Sequence, residues 1–116
     1  MNIRMISCVR AAIAAATALA PPFGASAYAE PKAIEVVIEH FAFVPSSVAA
    51  APGDVVIFIN RDIAPHTATA ADGSWTTKDI EGGKTEKLVV PANGAGPFFC
   101  RYHPVMKGRL VIRSVP

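Results

Sequence analysis

From residue 33 onward the chain alternates between apolar and polar positions. Ile34, Val36 and Ile38 fall on one side of a run from Ala33 to His40. Glu35 and Glu39 fall on the other, with Val37 as the exception among them. A period of two over that length predicts a half-buried strand. Phe41, Phe43 and Val44 follow, and Pro45, which has no N–H for a ladder, confines that piece to an edge or a bend. Ser47 to Ala51 reads as a weak strand with an Ala-rich face. Pro52-Gly53-Asp54 has Pro and Gly in the order that a type II turn requires. Val55 to Asn60 is rich in β-branched and aromatic residues and is expected at the centre of a sheet.

The second half continues in the same manner. His66 to Ala71 alternates small and polar residues and ends at the turn pair Asp72-Gly73. Trp75 to Ile80 carries no clear period, and Glu81-Gly82-Gly83 closes it. Lys84 to Val90 alternates, with Leu88 and Val90 on one face, and Pro91-Ala92-Asn93-Gly94 turns the chain. Gly96 to Cys100 and Arg109 to Val115 complete the set. Seven or eight short strands separated by turn signals predict an all-β Greek-key β-sandwich, not a βαβ fold. No repeat and no persuasive helix interrupts them.

Residues 1 to 29 have a different character. Arg4 and Arg10 make a positive start, and Ala11 to Ala20 is a short Ala-rich apolar run. Ala25-Ser26-Ala27 and Ala27-Tyr28-Ala29 both fit a small-x-small cleavage site, so the segment reads as a secretory signal peptide cut after Ala27 or Ala29. The run is well short of the ~20 apolar residues a spanning helix needs. The expected mature domain, 30 to 116, is therefore periplasmic and free of the membrane.

Removing the leader alters the charge balance. The whole chain has 11 Lys plus Arg against 9 Asp plus Glu; without Arg4 and Arg10 it is 9 against 9. Nucleic-acid binding needs a clustered basic face, and none is present. Cys8 departs with the leader, which leaves Cys100 alone. No disulfide can form within a monomer, so a single exported cysteine points to a reactive or ligating thiol.

Cys100 does not stand by itself in chemistry. In Phe98-Phe99-Cys100-Arg101-Tyr102-His103-Pro104-Val105-Met106-Lys107-Gly108 a thiol, an imidazole and a thioether recur at three-residue intervals. A strand would send them to alternate faces, and Pro104 would break a helix. A tight loop after a strand remains, and it can gather Cys100, His103 and Met106 around one point. Thiolate and thioether are soft donors that suit copper beside imidazole nitrogen. A second imidazole would complete a trigonal two-His, one-Cys set with a weak axial Met. His40 and His66 are the candidates for it.

The stretch Cys-x2-His-x2-Met, after Phe98-Phe99 and before Lys107-Gly108-Arg109-Leu110-Val111-Ile112, resembles the ligand loop of the cupredoxins, the small blue copper proteins. The short spacing, with Pro104 directly after His103, is most similar to the amicyanin branch of that family. Val55-Val56-Ile57-Phe58-Ile59-Asn60-Arg61-Asp62-Ile63-Ala64-Pro65-His66 resembles the family segment that ends in the first His ligand. The resemblance runs from about residue 33 to 115. It implies one copper ion per chain, held by His66, Cys100, His103 and Met106, with His40 left as a surface residue. Family members often carry Asn after the first His; Thr67 stands there instead, which leaves the side-chain tie between the two ligand loops open.

The function implied is electron carriage through Cu(I)/Cu(II), with no enzymatic activity. The alternative is a copper-binding or copper-delivery protein with the same site. A Cys-His hydrolase would need a base with an orienting third group, and none is evident. A zinc site would leave Met106 unexplained. The amicyanin resemblance implies redox-protein partners, an amine dehydrogenase as donor and a c-type cytochrome as acceptor, serving a monomer. Pro65, Pro104, Val105 and Ile63 are expected to form an apolar collar around His103, with Arg101, Lys107 and Arg109 nearby.

Overall fold

The computed structural model describes residues 30–114, so the leader expected at residues 1–29 lies outside the described residues. Eight strands form: β1 (Ala33–Glu39), β2 (Ala42–Val44), β3 (Ser47–Ala50), β4 (Val55–Asn60), β5 (Thr69–Ala70), β6 (Thr85–Val89), β7 (Gly96–Phe99) and β8 (Lys107–Ile112). They divide into two four-stranded sheets, β2-β1-β4-β6 and β3-β8-β7-β5. The protein is an all-β sandwich, as the alternation predicts.

The pairing explains why strands distant in sequence meet. β1 runs parallel to β4, and β3 runs parallel to β8, while the remaining pairs are antiparallel. β2 ends before Pro45 and lies at the edge of its sheet, where the missing N–H does no harm. β4 sits inside the first sheet, and its Val56, Phe58 and Asn60 point inward and are buried. Gly53 has φ of 90°, the left-handed position that the Pro52-Gly53 turn demands.

The inward faces make one core. Val36, Ile38, Val56 and Phe58 of the first sheet meet Val48, Ala50, Phe98 and Leu110 of the second. Phe43 and Phe58 stand edge-on to Phe98, with Phe43 to Phe98 centroids at 4.9 Å. Such edge-to-face pairs add about 0.5–1.5 kcal/mol beyond area burial. Gly108 is required beside this cluster, because a Cβ there would run into the Phe98 ring.

Two expectations are corrected. β8 starts at Lys107 rather than Arg109, because Phe99 to Lys107 and Phe98 to Gly108 pairing carries the ladder up to the loop. The strand expected over His66 to Ala71 shrinks to Thr69–Ala70, and Trp75 to Ile80 contributes isolated bridges, His66 to Ile80 and Thr69 to Thr76. His66 to Ala68 is buried, but its backbone is met irregularly by Ile80, Thr77 and the Thr77 hydroxyl, so no regular ladder extends there, and the bridge to Ile80 fixes His66.

Candidate metal centre

The spacing of the loop is explained by its backbone. His103 N–H donates to Cys100 C=O at 3.2 Å, and Met106 N–H donates to His103 C=O at 2.9 Å. These are two successive β-turns, and Pro104 occupies the i+1 position of the second, where a fixed φ is favoured. Cys100 N–H closes the loop onto Met106 C=O at 3.1 Å. Residues three apart in two consecutive turns return to one side of the loop, which brings the Cys100 and His103 side chains together. Cys100 and Met106 are buried, and His103 is half-buried.

His66 arrives from the opposite side. Its N–H donates to Ile80 C=O at 3.0 Å, and its C=O accepts from Ile80 N–H at 2.8 Å. Asn60, buried at the end of β4, shapes the preceding loop. Its amide donates to Ala64 C=O and Ile80 C=O, both at 2.8 Å, and its carbonyl accepts from Asp62 N–H at 2.9 Å. Gly82 packs against the carbonyls of Asp62 and Ile63 so closely that a Cβ would not fit.

Nδ1 of His66 lies 3.7 Å from Sγ of Cys100, and Nδ1 of His103 lies 4.0 Å from it. The three donor atoms are all within 4.8 Å of one another. With metal–sulfur and metal–imidazole bonds of about 2.3 and 2.0 Å meeting trigonally, S and N would stand about 3.7 Å apart. The observed separations fit that requirement. The donor chemistry, two imidazoles and a thiol, suits copper and not a hard cation.

The surroundings hold the donors in this state. Thr67 N–H donates to Cys100 Sγ at 3.3 Å, which fixes the position of the sulfur. The Thr67 hydroxyl accepts from Arg101 N–H at 3.0 Å and meets Thr69 Oγ1 at 3.1 Å. The tie between the two ligand loops left open in the sequence is therefore made by a hydroxyl. Tyr102 donates to the carboxylate of Asp79, which tethers the loop from outside; that bond, together with burial and the Asp79 charge, raises the phenol's pKa.

Three participants carried no signal in the sequence. Asp62 Oδ2 meets Nε2 of His66 at 2.8 Å and accepts from Phe41 N–H at 3.0 Å, while Oδ1 accepts from His40 N–H at 2.9 Å. Burial alone would raise the Asp62 pKa, but the bonds from Phe41, His66 and His40 together lower it. Phe41 packs its ring edge-on to both imidazoles, and Asn60 builds the loop. Only their distance from His66 in the chain could have suggested Asp62 and Asn60, and nothing could have suggested Phe41. His40 is exposed and lies outside the donor cluster.

Fold and site define a class. The chain matches the model of the cupredoxin-like domain over residues 9–112 and belongs to that family. Within it, the chain is 31% identical over 83 residues to amicyanin-alpha of Methylorubrum extorquens, covering 67% of this chain and 70% of that one. Solved amicyanin structures agree. A reduced-state amicyanin variant superposes with a TM-score of 0.60 at 27% identity, covering 70% of this chain and 82% of that one. The Cu(I) form of another amicyanin variant gives 0.63 at 25% identity, covering 75% and 88%. His66, Cys100 and His103 form a potential copper site, one per chain.

Proposed function

We propose that the mature chain is a periplasmic blue copper protein that carries single electrons between redox proteins, with His66, Cys100, His103 and Met106 as the metal ligands. The observation that carries this reading is the preformed cluster, with both imidazole Nδ1 atoms at trigonal distance from one thiol. Copper held there would supply the one-electron couple. The chain's own residues supply rigidity: His66 is clamped between Ile80 and Asp62, and Cys100 is fixed by Thr67 and Met106. A site that barely moves between oxidation states suits electron exchange.

His66 and Cys100 are fully buried, whereas His103 is half-buried; Val105, two positions on in its loop, is 86% exposed, and Ile63 is 99% exposed. Exposed apolar side chains of this kind suit brief docking, in the small class of electron-transfer interfaces. Likeness to amicyanin supports an amine dehydrogenase donor and a c-type cytochrome acceptor, with the chain acting as a monomer. Export follows from the leader read at residues 1–29, and among the described residues no helix is long and apolar enough to cross a membrane.

Adding Cu(II) to the mature protein should give an intense blue thiolate-to-copper band, and Cys100→Ser should abolish it with the sandwich intact. Copper binding without colour would overturn the ligand set. Rapid self-exchange of electrons with slow metal loss to a chelator is the carrier's signature; the reverse would assign the chain to copper delivery.

A further inference from the structure

The two imidazoles of the site are held in different ways. Nε2 of His66 is fixed by Asp62 at 2.8 Å. For the ring of His103, among the described residues, the one hydrogen-bonding contact is to Sγ of Cys100, at 4.0 Å. A half-buried ring on a turn needs some other restraint to stay in one rotamer, since exposed side chains change rotamer freely. The ring that meets it is Phe41. Its centroid is 4.9 Å from that of His103 at 80°, and 5.2 Å from that of His66 at 86°. The two imidazoles are themselves 5.2 Å apart at 65°, so three rings form a closed triangle of edge contacts.

Phe41 reaches this position by an unusual backbone. His40 and Phe41 have φ of 53° and 58°, two successive left-handed residues that are not Gly. Bulky side chains seldom adopt that region unless the surroundings impose it. Here the two-residue hairpin loop between Glu39 and Ala42 requires it, and Asp62 supports it, because its two oxygens accept both N–H groups while one of them also meets His66. The hairpin tip between β1 and β2 is thereby tied to the metal centre. Phe41 remains 49% exposed, so the conformation does not serve to bury it in the core.

We propose that Phe41 is a positioning residue for His103: an aromatic stop that holds the exposed imidazole over the thiol and screens the outer side of the site from small molecules. Asp62 sets the stop through the backbone, and the ring acts on His103 through its edge. Removing the ring frees His103 to turn outward and opens the space it leaves. The proposal rests on the metal-centre reading for its test in the loaded protein, and on geometry alone for its test in the copper-free one.

The experiment compares wild type, Phe41→Ala and Phe41→Tyr, each checked for an intact sandwich by amide NMR. In the copper-free protein, relaxation dispersion on the His103 and His66 rings reads their mobility. Phe41→Ala should raise the displaced population of His103 by about two- to tenfold, the factor expected for one edge-to-face pair. His66 should stay unchanged, and Phe41→Tyr should behave as wild type. In the Cu(II) protein, Phe41→Ala should let added azide perturb the visible band at lower concentration than in wild type, with Phe41→Tyr restoring protection. His103 mobility and azide response equal to wild type in a folded Phe41→Ala would overturn the proposal. Equal loosening of His66 and His103 would also overturn it, by showing general disorder. A wild-type protein lacking the blue band would defeat the copper reading, and the copper-free measurement would still decide the role of Phe41.

Discussion

Asp62 Oδ2 lies 2.8 Å from Nε2 of His66 within the β4–β5 connection, and the same carboxylate takes the His40 and Phe41 N–H groups of the β1–β2 connection. With Nδ1 facing the thiol, the ring proton belongs on Nε2, where the carboxylate accepts it. A carboxylate in this position fixes the tautomer, orients the ring and raises its basicity as a ligand. Because the same carboxylate holds the tip of the β1–β2 hairpin, one residue sets the geometry of His66 and of Phe41 together.

Asp62→Ala should therefore weaken copper binding by about 10- to 100-fold, the usual cost of losing such a partner. Competition against a calibrated chelator measures it. Asp62→Asn should also weaken binding, because its one carbonyl oxygen cannot replace both carboxylate oxygens. Unchanged affinity in both variants would mean that Ile80 alone holds His66.

Thr67 is buried, and its hydroxyl takes the Arg101 N–H at 3.0 Å. Thr67→Val keeps the shape and leaves that N–H without its acceptor. Leaving a buried donor unpaired costs about 1–3 kcal/mol. Chemical denaturation of the copper-free protein should show a loss in that range for Thr67→Val and a smaller one for Thr67→Ser. A loss in Thr67→Ser as large as in Thr67→Val would mean that packing of the methyl, not the hydroxyl, matters there.

Much of this molecule is legible in its sequence, for a physical reason. β1, β4 and β6 each bury one face, so a period of two is written into Ile34-Val36-Ile38 and its counterparts. The ligand loop is legible because its chemistry is local, with two β-turns placing Cys100, His103 and Met106 three apart. Asp62 and Phe41 are brought together by β1–β4 parallel pairing, and Asn60 works through irregular loop bonds to Asp62, Ala64 and Ile80; neither leaves a periodic trace. Thr67 shows the remaining limit, since a hydroxyl can make the tie that the family often gives to an amide, and only coordinates reveal that it does. β5 is shorter than the alternation of small and polar residues predicts, because Thr77 meets Ala68 through its hydroxyl as well as its backbone and breaks the regular ladder.

Asp54 anchors the ends of β1, β3 and β8. Its oxygens accept from Lys32 N–H and Ala51 N–H, both at 2.9 Å, and meet the Arg113 guanidinium at 3.4 Å. The Lys32 bond first, then the Ala51 bond, hold its pKa below the usual carboxylate value, with burial opposing and the Arg113 charge adding to them. A depressed folded pKa contributes stability that is present above the unfolded value and lost as pH falls through the folded one. Copper-free protein should thus lose stability in the acid range below about pH 4, the ordinary aspartate value. Asp54→Asn should be less stable than wild type at neutral pH, and the difference should shrink toward low pH. A difference that stays constant across the titration would show that the charge of Asp54 contributes nothing.

Met106 provides the test that separates a ligand from a core residue. It is buried, and its N–H and C=O are bonded to His103 and Cys100, so its backbone belongs to the loop whatever its sulfur does. Met106→Leu preserves those backbone bonds and nearly the same volume, and such a swap costs less than about 1.5 kcal/mol in packing. What it removes is a weak, soft donor. Losing that donor disfavours Cu(II) more than Cu(I), because the reduced ion is content with fewer ligands. The reduction potential should therefore rise while the blue colour stays. Met106→Gln puts a harder oxygen donor in the same place, favours Cu(II), and should lower the potential. Voltammetry on the three proteins reads both shifts against one reference. Opposite shifts in the two variants require a donor at this position, whereas a Met that merely fills space would leave the potential where it was in both.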